Sequence, residues 1–404
     1  MNYLRSFLPL IIVFFSILNG FCQDNQVKSV TVPFILDHNR MLVEAEIRKD
    51  DGTWRKVLLW VDTGNPNFMM SKELALDMGL ISDTLKTTQE VPTPLNIRIG
   101  GMALNFEDIT GSVSPQIKWL YNTMHNDGNL PAKVLQRYHV VFDYPAGQIT
   151  IAEPGYLRPK GKPSPASVNR LTGIIQLDAV IDGQKFSFPI DNGSSFSYVP
   201  DSLLLRLLER HPEWSHCTGA VGCANIWGWW PAEGSWPLLR IPEITWGTTT
   251  FNNVIVAGLP QFFRGKTDVG KWYSHKTARP VNGFFGPNIF GGYRVEIHYS
   301  ENKVYFEKGK LPLQPEMDIV GLTLKPLPDE RYIVVGVAVK NGKPVVDGVL
   351  PDDVLIQIDG LKTTGATMGR VVDALRGTIG EKRVLILERE GKMISVVATV
   401  ERLL

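Results

Sequence analysis

The sequence VLLWVDTG occupies residues 57–64, and a related sequence, FSFPIDNG, occupies residues 186–193. Each is a mostly apolar run that ends in an aspartate, one polar residue and a glycine. Such runs predict buried strands, and the glycine allows a tight turn directly after the aspartate. Asp62 and Asp191 therefore stand in equivalent places of a repeated strand and turn.

The segments that follow the two turns also end alike. The first ends in LQRYHVVFDY at residues 135–144, and the second ends in IFGGYRVEIHY at residues 289–299. Internal self-similarity of this kind indicates a duplicated structural unit. The duplication predicts two lobes, each of which contributes one aspartate to a shared site.

Length and composition limit the class of protein. The chain has 404 residues, of which 44% are hydrophobic and 21% charged, and its formal net charge is +1. A globular chain of this length is expected to form two or three domains. The small net charge argues against nucleic acid or an anionic membrane surface as the partner. The 37 Gly, 27 Pro, 10 Trp and 18 Phe residues favour a turn-rich, mainly β protein.

Residues 1–22 are typical of a secretory signal peptide. Arg5 supplies a positive charge, residues 7–18 are mostly apolar, and the small residues Gly20 and Cys22 precede the expected cleavage site. The apolar stretch is short for a membrane span, so we expect cleavage and export to the periplasm or the extracellular space. Two alternatives stay open: an uncleaved anchor, and a lipid attached to Cys22.

Two cysteines, Cys217 and Cys223, are left after removal of the signal peptide. Their closeness in the sequence of an exported protein predicts one local disulfide. Two ligands alone do not make a metal site, and no His and Cys cluster elsewhere in the sequence completes one. No metal is therefore expected.

Two basic, proline-rich stretches, residues 158–165 and 308–315, divide the remaining chain into three parts. Because proline removes backbone donors, both stretches are predicted to be linkers. The predicted domains are a first lobe at residues 28–157, a second lobe at residues 168–308 and a C-terminal domain at residues 317–404.

Helix signals are few. Ser71 can cap a helix over residues 72–78 after the first aspartate turn, and Pro200 precedes a helix over residues 202–209 after the second. In the C-terminal domain, apolar residues at helical spacing predict a helix over residues 367–376. The rest of both lobes is expected to consist of short strands and turns.

Paired aspartates have a chemistry that a single aspartate lacks. Two carboxyl groups a few ångströms apart cannot both ionise, so they share one proton. The ionised partner can take a proton from water while the protonated partner donates to a carbonyl oxygen, which suits hydrolysis of a peptide bond. Because such a pair titrates as a unit, the sequence assigns neither Asp62 nor Asp191 as the acid or the base.

The Asp62-Thr63-Gly64 turn and its flanks resemble the active-site turn of pepsin-like and retropepsin-like aspartic proteases. Gly128-Asn129-Leu130 and Gly283-Phe284-Phe285-Gly286 resemble the apolar and glycine segment that packs behind that turn in the family. The resemblance implies two β-rich lobes, with Asp62 and Asp191 as catalytic residues at the floor of the cleft between them. It implies no metal and no cofactor.

The resemblance also assigns the neighbours of the two aspartates to the active-site turns; these are Thr63, Gly64, Asn192, Gly193 and Ser194. In the family, a hydroxyl residue follows each catalytic aspartate and joins a hydrogen-bond network across the lobes. Thr63 keeps that hydroxyl, whereas Asn192 departs from the pattern. An amide is bulkier than a hydroxyl and places its donors and acceptor differently, so an altered network stays an open alternative.

Residues 317–404 resemble a PDZ domain over most of their length. Gly321-Leu322-Thr323-Leu324 is similar to the loop that receives the carboxylate of a peptide C-terminus through backbone N–H groups. Residues 346–360 are similar to a segment common in bacterial protease-linked PDZ domains. PDZ domains add a peptide as a strand beside a sheet edge, so the resemblance implies a peptide ligand. A structural cap that binds nothing is the alternative.

These features predict a mainly β, exported aspartic endopeptidase with two pepsin-like or retropepsin-like β-barrel lobes and a C-terminal PDZ domain. The expected substrate is a peptide or an unfolded protein, cut by water that Asp62 and Asp191 activate. The PDZ domain is expected to bind peptide segments or to regulate access. Because one chain supplies both lobes, a monomer is expected. The alternative is a degenerate relative that binds peptides without cutting them, with Asn192 as the reason.

Overall fold

The computed structural model describes residues 27–82, 88–94, 96–114, 126–219, 222–223, 233–260, 269–309 and 317–404. Strands far outnumber helices in these residues, so the prediction of a mainly β protein is confirmed. The predicted signal peptide, with Cys22, lies outside the described residues. Within the described ranges, no helix combines the length and the apolar character that crossing a membrane requires.

The first lobe consists mainly of short antiparallel strands. They are β1 (Ser29–Asp37), β2 (Arg40–Arg48), β3 (Trp54–Asp62), β4 (Phe68–Met70), β5 (Gln89–Val91), β6 (Asn96–Ile99), β7 (Met102–Asn105), β8 (Gly111–Val113), β9 (Gly128–Pro131), β10 (His139–Asp143) and β11 (Gln148–Ala152). In the described part of this lobe, the helices Lys72–Asp77 and Ala132–Leu135 interrupt them. The Ser71 hydroxyl accepts a hydrogen bond from the Leu74 amide at 3.0 Å, which is the cap that the sequence predicts.

The second lobe has longer strands around an aromatic core. They are β12 (Lys162–Pro165), β13 (Ser167–Val168), β14 (Ile175–Ile181), β15 (Gln184–Pro189), β16 (Tyr198–Pro200), β17 (His216–Thr218), β18 (Gly222–Cys223), β19 (Pro237–Trp246), β20 (Thr249–Leu259), β21 (Tyr293–His298) and β22 (Lys303–Lys308). Its helices are Asp201–Arg210 and Val269–Ser274, with single 3-10 turns at Glu233–Ser235, Pro287–Ile289 and Tyr299–Glu301. Trp246 is fully buried, with its ring 5.0 Å from that of Phe285.

The matching segments that close the two lobes pair with each other. Strands β10 and β21 run antiparallel, with His139 opposite His298 and Asp143 opposite Arg294. They join a sheet in the order β12-β22-β21-β10-β11-β1-β2-β3-β9-β4-β8-β5, which passes from the second lobe into the first. The buried His139 Nε2 lies 2.6 Å from Glu296 Oε1 at this junction. The duplication therefore produces a continuous sheet that holds the lobes in one orientation.

The first proline-rich stretch is not a linker throughout, contrary to the prediction. Lys162–Pro165 forms β12 and pairs with β22, with Pro163 opposite Tyr305 and Pro165 opposite Lys303. Proline is tolerated there because β12 is the outermost strand of the sheet, where one side of the backbone needs no ladder donor. Of the second predicted linker, residues 310–315 lie outside the described residues.

Residues 317–404, here called the C-terminal unit, contribute strands to three sheets, two of which also contain strands of the second lobe. The strands are β23 (Asp318–Ile319), β24 (Leu322–Pro326), β25 (Tyr332–Val337), β26 (Val339–Lys340), β27 (Lys343–Pro344), β28 (Val354–Ile358), β29 (Leu361–Lys362), β30 (Lys382–Arg389), β31 (Lys392–Thr399) and β32 (Glu401–Arg402). The helix Met368–Leu375 is capped by Thr367, whose side chain accepts from the Arg370 amide. Its apolar face is buried, as its residue spacing predicts.

The C-terminal unit is docked against both lobes. On the first lobe, Asp37 Oδ1 accepts hydrogen bonds from Thr367 Oγ1 at 2.8 Å and from the Gly369 amide at 2.9 Å. On the second lobe, Thr218 of β17 pairs with Val339 of β26. These contacts fix the position of the unit relative to the two lobes.

Candidate active site

The first aspartate turn is set by a buried parallel strand pair. Strand β3 runs beside β9, so that Leu59 faces Gly128 and Asp62 faces Pro131. Leu59, Trp60 and Val61, which precede the turn in β3, are fully buried. Gly128 belongs to the segment that the sequence places behind the turn. An added Cβ there would lie 2.7 Å from the Met69 carbonyl oxygen, so glycine is needed for this close approach.

The second aspartate turn is built in the same way. Ile190 forms a parallel bridge with Phe285, the Asp191 amide donates to the Phe285 carbonyl at 2.9 Å, and the Phe285 amide donates to Pro189 at 3.0 Å. The Phe285 and Phe188 rings stack with centroids 4.0 Å apart and are fully buried. The predicted equivalence of the two turns therefore extends to the segments behind them.

The two glycines bring the turns face to face. A Cβ added to Gly64 would lie 2.4 Å from Asp191 Oδ2, and a Cβ added to Gly193 would lie 2.3 Å from Asp62 Oδ1. Each glycine thus lies against the carboxyl group of the other lobe, at a distance that no side chain allows. The structure brings together the predicted residues Asp62, Gly64, Asp191 and Gly193.

Both carboxyl groups are buried and only partly hydrogen-bonded. Asp62 is 2% exposed and Asp191 is 8% exposed. The Gly64 amide donates to Asp62 Oδ1 at 3.0 Å, and the Ser194 amide donates to Asp191 Oδ1 at 3.2 Å. Asp62 Oδ2 has no hydrogen-bond partner among the described residues. A buried carboxyl oxygen without a partner disfavours the ionised state of the group.

Burial changes the acidity of the pair. Loss of solvent, followed by the nearby charge of Asp191, raises the pKa of Asp62 to about 8. Loss of solvent also raises the pKa of Asp191, to about 6, while hydrogen bonds from Tyr273 and Ser194 oppose the rise. The pair therefore holds one proton near neutral pH, as two close carboxyl groups should.

The residues after the two aspartates have different roles in the structure. Thr63 Oγ1 crosses to the second lobe, where it donates to the Ile190 carbonyl at 2.8 Å and accepts from the Asn192 amide at 2.9 Å. The Asn192 side chain is fully buried, yet neither its Nδ2 nor its Oδ1 has a partner in the part of the chain that the structure describes. The cross-lobe network implied by the resemblance is thus present from Thr63 and missing from Asn192.

Two residues that the sequence did not single out approach the pair. The Tyr273 hydroxyl lies 3.1 Å from Asp191 Oδ2 and 3.2 Å from the Gly64 carbonyl oxygen. The positive charge of Lys276 lowers the pKa of both aspartates, although burial outweighs it. Neither residue belongs to a motif, and both come from the segment before Gly283. Their position could be found only from the folded chain.

The Gly321-Leu322-Thr323-Leu324 loop lies in the C-terminal unit, apart from the aspartate turns. Its residues 322–324 open β24, whose free edge is covered by the chain itself. Gly222 and Cys223 of β18 run parallel to it, opposite Thr323 and Leu324. The edge at which the resemblance implies a peptide ligand is therefore already occupied by a segment of the second lobe.

The predicted disulfide is not formed. Cys217 is a free, buried thiol, and burial raises its pKa to about 12. Cys217 lies in β17 and pairs with Leu238, whereas the backbone of Cys223 pairs with Leu324 in the sheet of the C-terminal unit. The two cysteines are close in sequence but belong to different sheets, and this separation explains why the local spacing misled the prediction.

Other candidate ligands do not gather into a site. In the described ranges, no group of three or more His, Cys, Asp or Glu side chains is arranged to hold a metal ion. His125 and the tryptophans at 227, 229 and 230 lie outside the described residues. Ser194 is a turn residue, because its hydroxyl donates to the Phe196 carbonyl at 2.7 Å.

Comparison with known proteins adds little. No protein-family model matches the chain, and no curated protein matches it. Among solved structures, the chain is similar to the crystal structure of an aspartic proteinase from Irpex lacteus, with 9% sequence identity. The match covers 70% of this chain and 98% of that chain, with a TM-score of 0.40. A likeness at this level supports no conclusion about activity, so the function is inferred from the geometry alone.

Proposed function

We propose that this protein is an aspartic endopeptidase in which Asp62 and Asp191 activate water against a peptide bond. The observation that carries the proposal is the face-to-face placement of two equivalent turns, in which each glycine lies against the carboxyl group of the other lobe. Both carboxyl groups are buried, and the pKa of each is raised. Perturbed titratable groups that meet at one point are typical of catalytic sites.

The reaction follows from a pair that holds a single proton. The ionised carboxylate takes a proton from water, and the water oxygen bonds to the carbonyl carbon of the substrate. The protonated carboxyl group gives its proton to the carbonyl oxygen, which produces a tetrahedral diol. The C–N bond then breaks as a proton passes to the amine nitrogen, which leaves a new carboxyl group and a new amine. The protein remains unmodified by a covalent bond to the substrate.

The pKa values define the active pH range. Below about pH 6, Asp191 also becomes protonated and the pair loses its base; above about pH 8, Asp62 also ionises and the pair loses its acid. We therefore expect a bell-shaped dependence of kcat/KM on pH with its maximum between these two values. A maximum in strong acid would contradict the burial of the pair as the cause of its acidity.

The rival function is peptide binding without cleavage. The buried, unpartnered amide of Asn192 favours it, because a half-satisfied polar network is costly and positions its members poorly. This function predicts peptide affinity by calorimetry without products. A gain of cleavage in Asn192→Thr would argue against a dedicated binding protein.

The test is incubation of the exported chain, residues 23–404, with a mixed peptide library from about pH 4 to about pH 9. Products are read by mass spectrometry beside those of Asp62→Asn. Asp178→Asn is the matched control, since Asp178 pairs with Arg279 at the surface, away from the turns. We expect cleavage by the wild type and the control and none by Asp62→Asn. Absence of cleavage at every pH would favour the binding function.

We also propose that the C-terminal unit is a PDZ domain that regulates access to the cleft. A peptide that adds to β24 must displace Gly222–Cys223, which belong to the second lobe. Ligand binding at that edge is therefore linked to the position of a second-lobe segment. The test is cleavage of one substrate with and without peptides that end in a free carboxylate, with amidated peptides as controls. Equal cleavage rates without peptide, with free-carboxylate peptides and with amidated peptides would contradict the proposal.

Export to the periplasm or the extracellular space remains part of the proposed function, with the signal peptide as its basis. Mass analysis of the mature N-terminus distinguishes the three possibilities. A chain that begins at Gln23 supports cleavage and release, a retained and lipidated Cys22 supports a surface anchor, and an intact Met1 supports an uncleaved segment.

A further inference from the structure

The Tyr273 hydroxyl comes from outside the two turns and contacts the aspartate pair directly. Its oxygen is 3.1 Å from Asp191 Oδ2 and 3.2 Å from the Gly64 carbonyl oxygen. Tyr273 is almost completely buried, and its ring stacks on that of Phe284 with centroids 5.5 Å apart. Nothing in the sequence marks this residue, since it lies 82 positions after Asp191.

The segment that carries Tyr273 is a fixed part of the second lobe. The Ser274 hydroxyl donates to Gly270, and the Val281 amide donates to it at 3.0 Å. The Thr172 hydroxyl donates to the Lys276 carbonyl oxygen at 2.6 Å. Because hydrogen bonds hold this segment at several points, the Tyr273 hydroxyl has a fixed position, as a group that positions a catalytic carboxylate requires.

A tyrosine hydroxyl has one proton to donate, and here it faces two acceptors. When Asp191 is ionised, a bond from Tyr273 to Oδ2 is charge-assisted and stronger than a bond to a neutral carbonyl. When Asp191 is protonated, its own O–H can donate to the tyrosine oxygen, and the tyrosine proton turns to Gly64. The hydroxyl therefore favours the ionised state of Asp191, and Asp62 Oδ2 has no comparable donor among the described residues.

We propose that Tyr273 is a positioning residue that keeps the negative charge of the pair on Asp191 and its proton on Asp62. The inference deepens the proposed function, because it makes Asp191 the base that deprotonates water and Asp62 the acid that protonates the carbonyl oxygen. It supplies the assignment that two similar turns cannot supply by themselves.

The charged and titratable groups around the pair agree with this assignment. They are Asp62 and Asp191 themselves, Tyr273 from its helix, and Lys276 from the segment after that helix. Burial and the nearby carboxylates raise the pKa of Tyr273 well above its ordinary value, so it stays a donor at every pH of interest. The charge of Lys276 lowers the pKa of both aspartates. The Asn129 side chain also lowers the pKa of Asp62, but by less than the other causes there, whereas the Tyr273 hydrogen bond is the largest influence that opposes burial at Asp191.

The kinetic test compares Tyr273→Phe with Tyr299→Phe. The first removes only the hydroxyl and keeps the ring stacked on Phe284. The second removes a buried hydroxyl that has no partner in the described structure, so it is the matched control. We expect kcat of Tyr273→Phe to fall by roughly ten- to a hundredfold with KM little changed, and the acid limb of the pH profile to move up by roughly one pH unit. Tyr299→Phe should leave both unchanged. A rise in kcat for Tyr273→Phe would overturn the inference, because it would make the hydroxyl an obstruction.

A second measurement does not depend on activity. In protein labelled with carboxyl-carbon-13 aspartate, NMR titration follows the pair directly, with Asp62→Asn and Asp191→Asn identifying its signals. Tyr273→Phe should raise the lower pKa of the pair. The control, Tyr299→Phe, should leave that pKa at the wild-type value. Unchanged titration in Tyr273→Phe would overturn the inference. A raised titration in a chain that cuts no peptide would support the charge assignment and remove the proposed peptidase function.

Discussion

The two aspartate turns have the same backbone and different side chains. Both follow a buried strand, both are backed by a glycine and apolar segment, and each glycine lies against the other carboxyl group. Yet the Thr63 side chain makes two hydrogen bonds across the lobes, whereas the side-chain amide of Asn192 makes none with the described residues. The Tyr273 hydroxyl contacts the carboxyl group of Asp191 in the second turn, but only the Gly64 carbonyl oxygen in the first.

This difference shows which parts of a duplicated site must be kept and which can change. The close approach of the turns requires glycine on both sides, because any Cβ would collide with a carboxyl group. The hydroxyl network tolerates loss on one side, because Thr63 alone ties Ile190 and the Asn192 backbone to the first lobe. An asymmetric pair can then be produced by a group from elsewhere, and Tyr273 is in a position to do so.

The glycines should give the largest effects. Gly64→Ala and Gly193→Ala place a methyl group 2.4 and 2.3 Å from a carboxyl oxygen of the opposite lobe. We expect each to lower the free energy of unfolding by about 3 kcal/mol or more, measured by denaturant titration. Gly79→Ala is the control, since its added Cβ meets nothing and only the φ of 69° carries a cost, of about 1 kcal/mol. Equal losses at all three positions would mean that the turns do not meet closely.

The pH dependence of stability should separate the two aspartates. Below the ordinary Asp pKa of 3.8, the folded and unfolded chains are both protonated, and the pair has no cost. As the pH rises, the unfolded chain loses these protons first, so the free energy of unfolding falls until the folded pair has also ionised. Asp62→Asn should therefore become progressively more stable than the wild type up to about pH 8, and Asp191→Asn only up to about pH 6.

The size of this effect is on the order of several kcal/mol for Asp62, since each unit of pKa shift corresponds to about 1.4 kcal/mol. Thermal melting of the wild type and both variants between about pH 4 and about pH 9 measures it. Other titrating groups cancel in the differences between variants. Parallel curves at all pH values would show that the carboxyl groups are solvated and do not form a buried pair.

The cross-lobe hydroxyl should have a smaller effect. Thr63→Val removes the hydroxyl and leaves the Ile190 carbonyl and the Asn192 amide without their bonds, at an expected loss of about 2–4 kcal/mol in the free energy of unfolding. Thr323→Val is a matched control, because the buried Thr323 hydroxyl has no partner among the described residues. It should be neutral or slightly stabilising. If both substitutions cost the same, the two bonds of Thr63 contribute nothing beyond packing.

The smallest effect is expected from restoring symmetry. In Asn192→Thr, a hydroxyl replaces the unpartnered amide and, by the equivalence of the turns, reaches the backbone of Val61 and Thr63. We expect a gain of about 1 kcal/mol in the free energy of unfolding, with higher kcat if the turns become better ordered. Thermal melting and steady-state kinetics measure both. A loss of stability would show that the site has adapted to the amide and that the comparison between the turns is incomplete.

Local signals in the sequence were sufficient for much of the site. The repeated aspartate turns predicted a shared pair, and Ser71 and Thr367 marked helix starts, because capping and turn formation depend on neighbouring residues. Tyr273 could not be predicted, because its contact with Asp191 depends on how distant strands place its helix.

Two predictions from the sequence, a linker and a disulfide, were wrong for the same physical reason. The prolines of Lys162–Pro165 predicted a linker, but an edge strand accepts proline on its open side. Cys217 and Cys223 predicted a disulfide, but their strands enter different sheets. In both cases tertiary pairing determined the outcome, and short-range spacing does not contain that information.

The most direct test of the shared pair is the cleavage rate of Asp62→Asn, Asp191→Asn and the double variant on one peptide identified from the library, at the wild-type pH optimum. If both turns serve one reaction, each single variant should lose at least about a thousandfold in kcat/KM, and the double variant should lose no more than either. Retention of substantial activity by one single variant would contradict the account, since the aspartates would then not act as a pair.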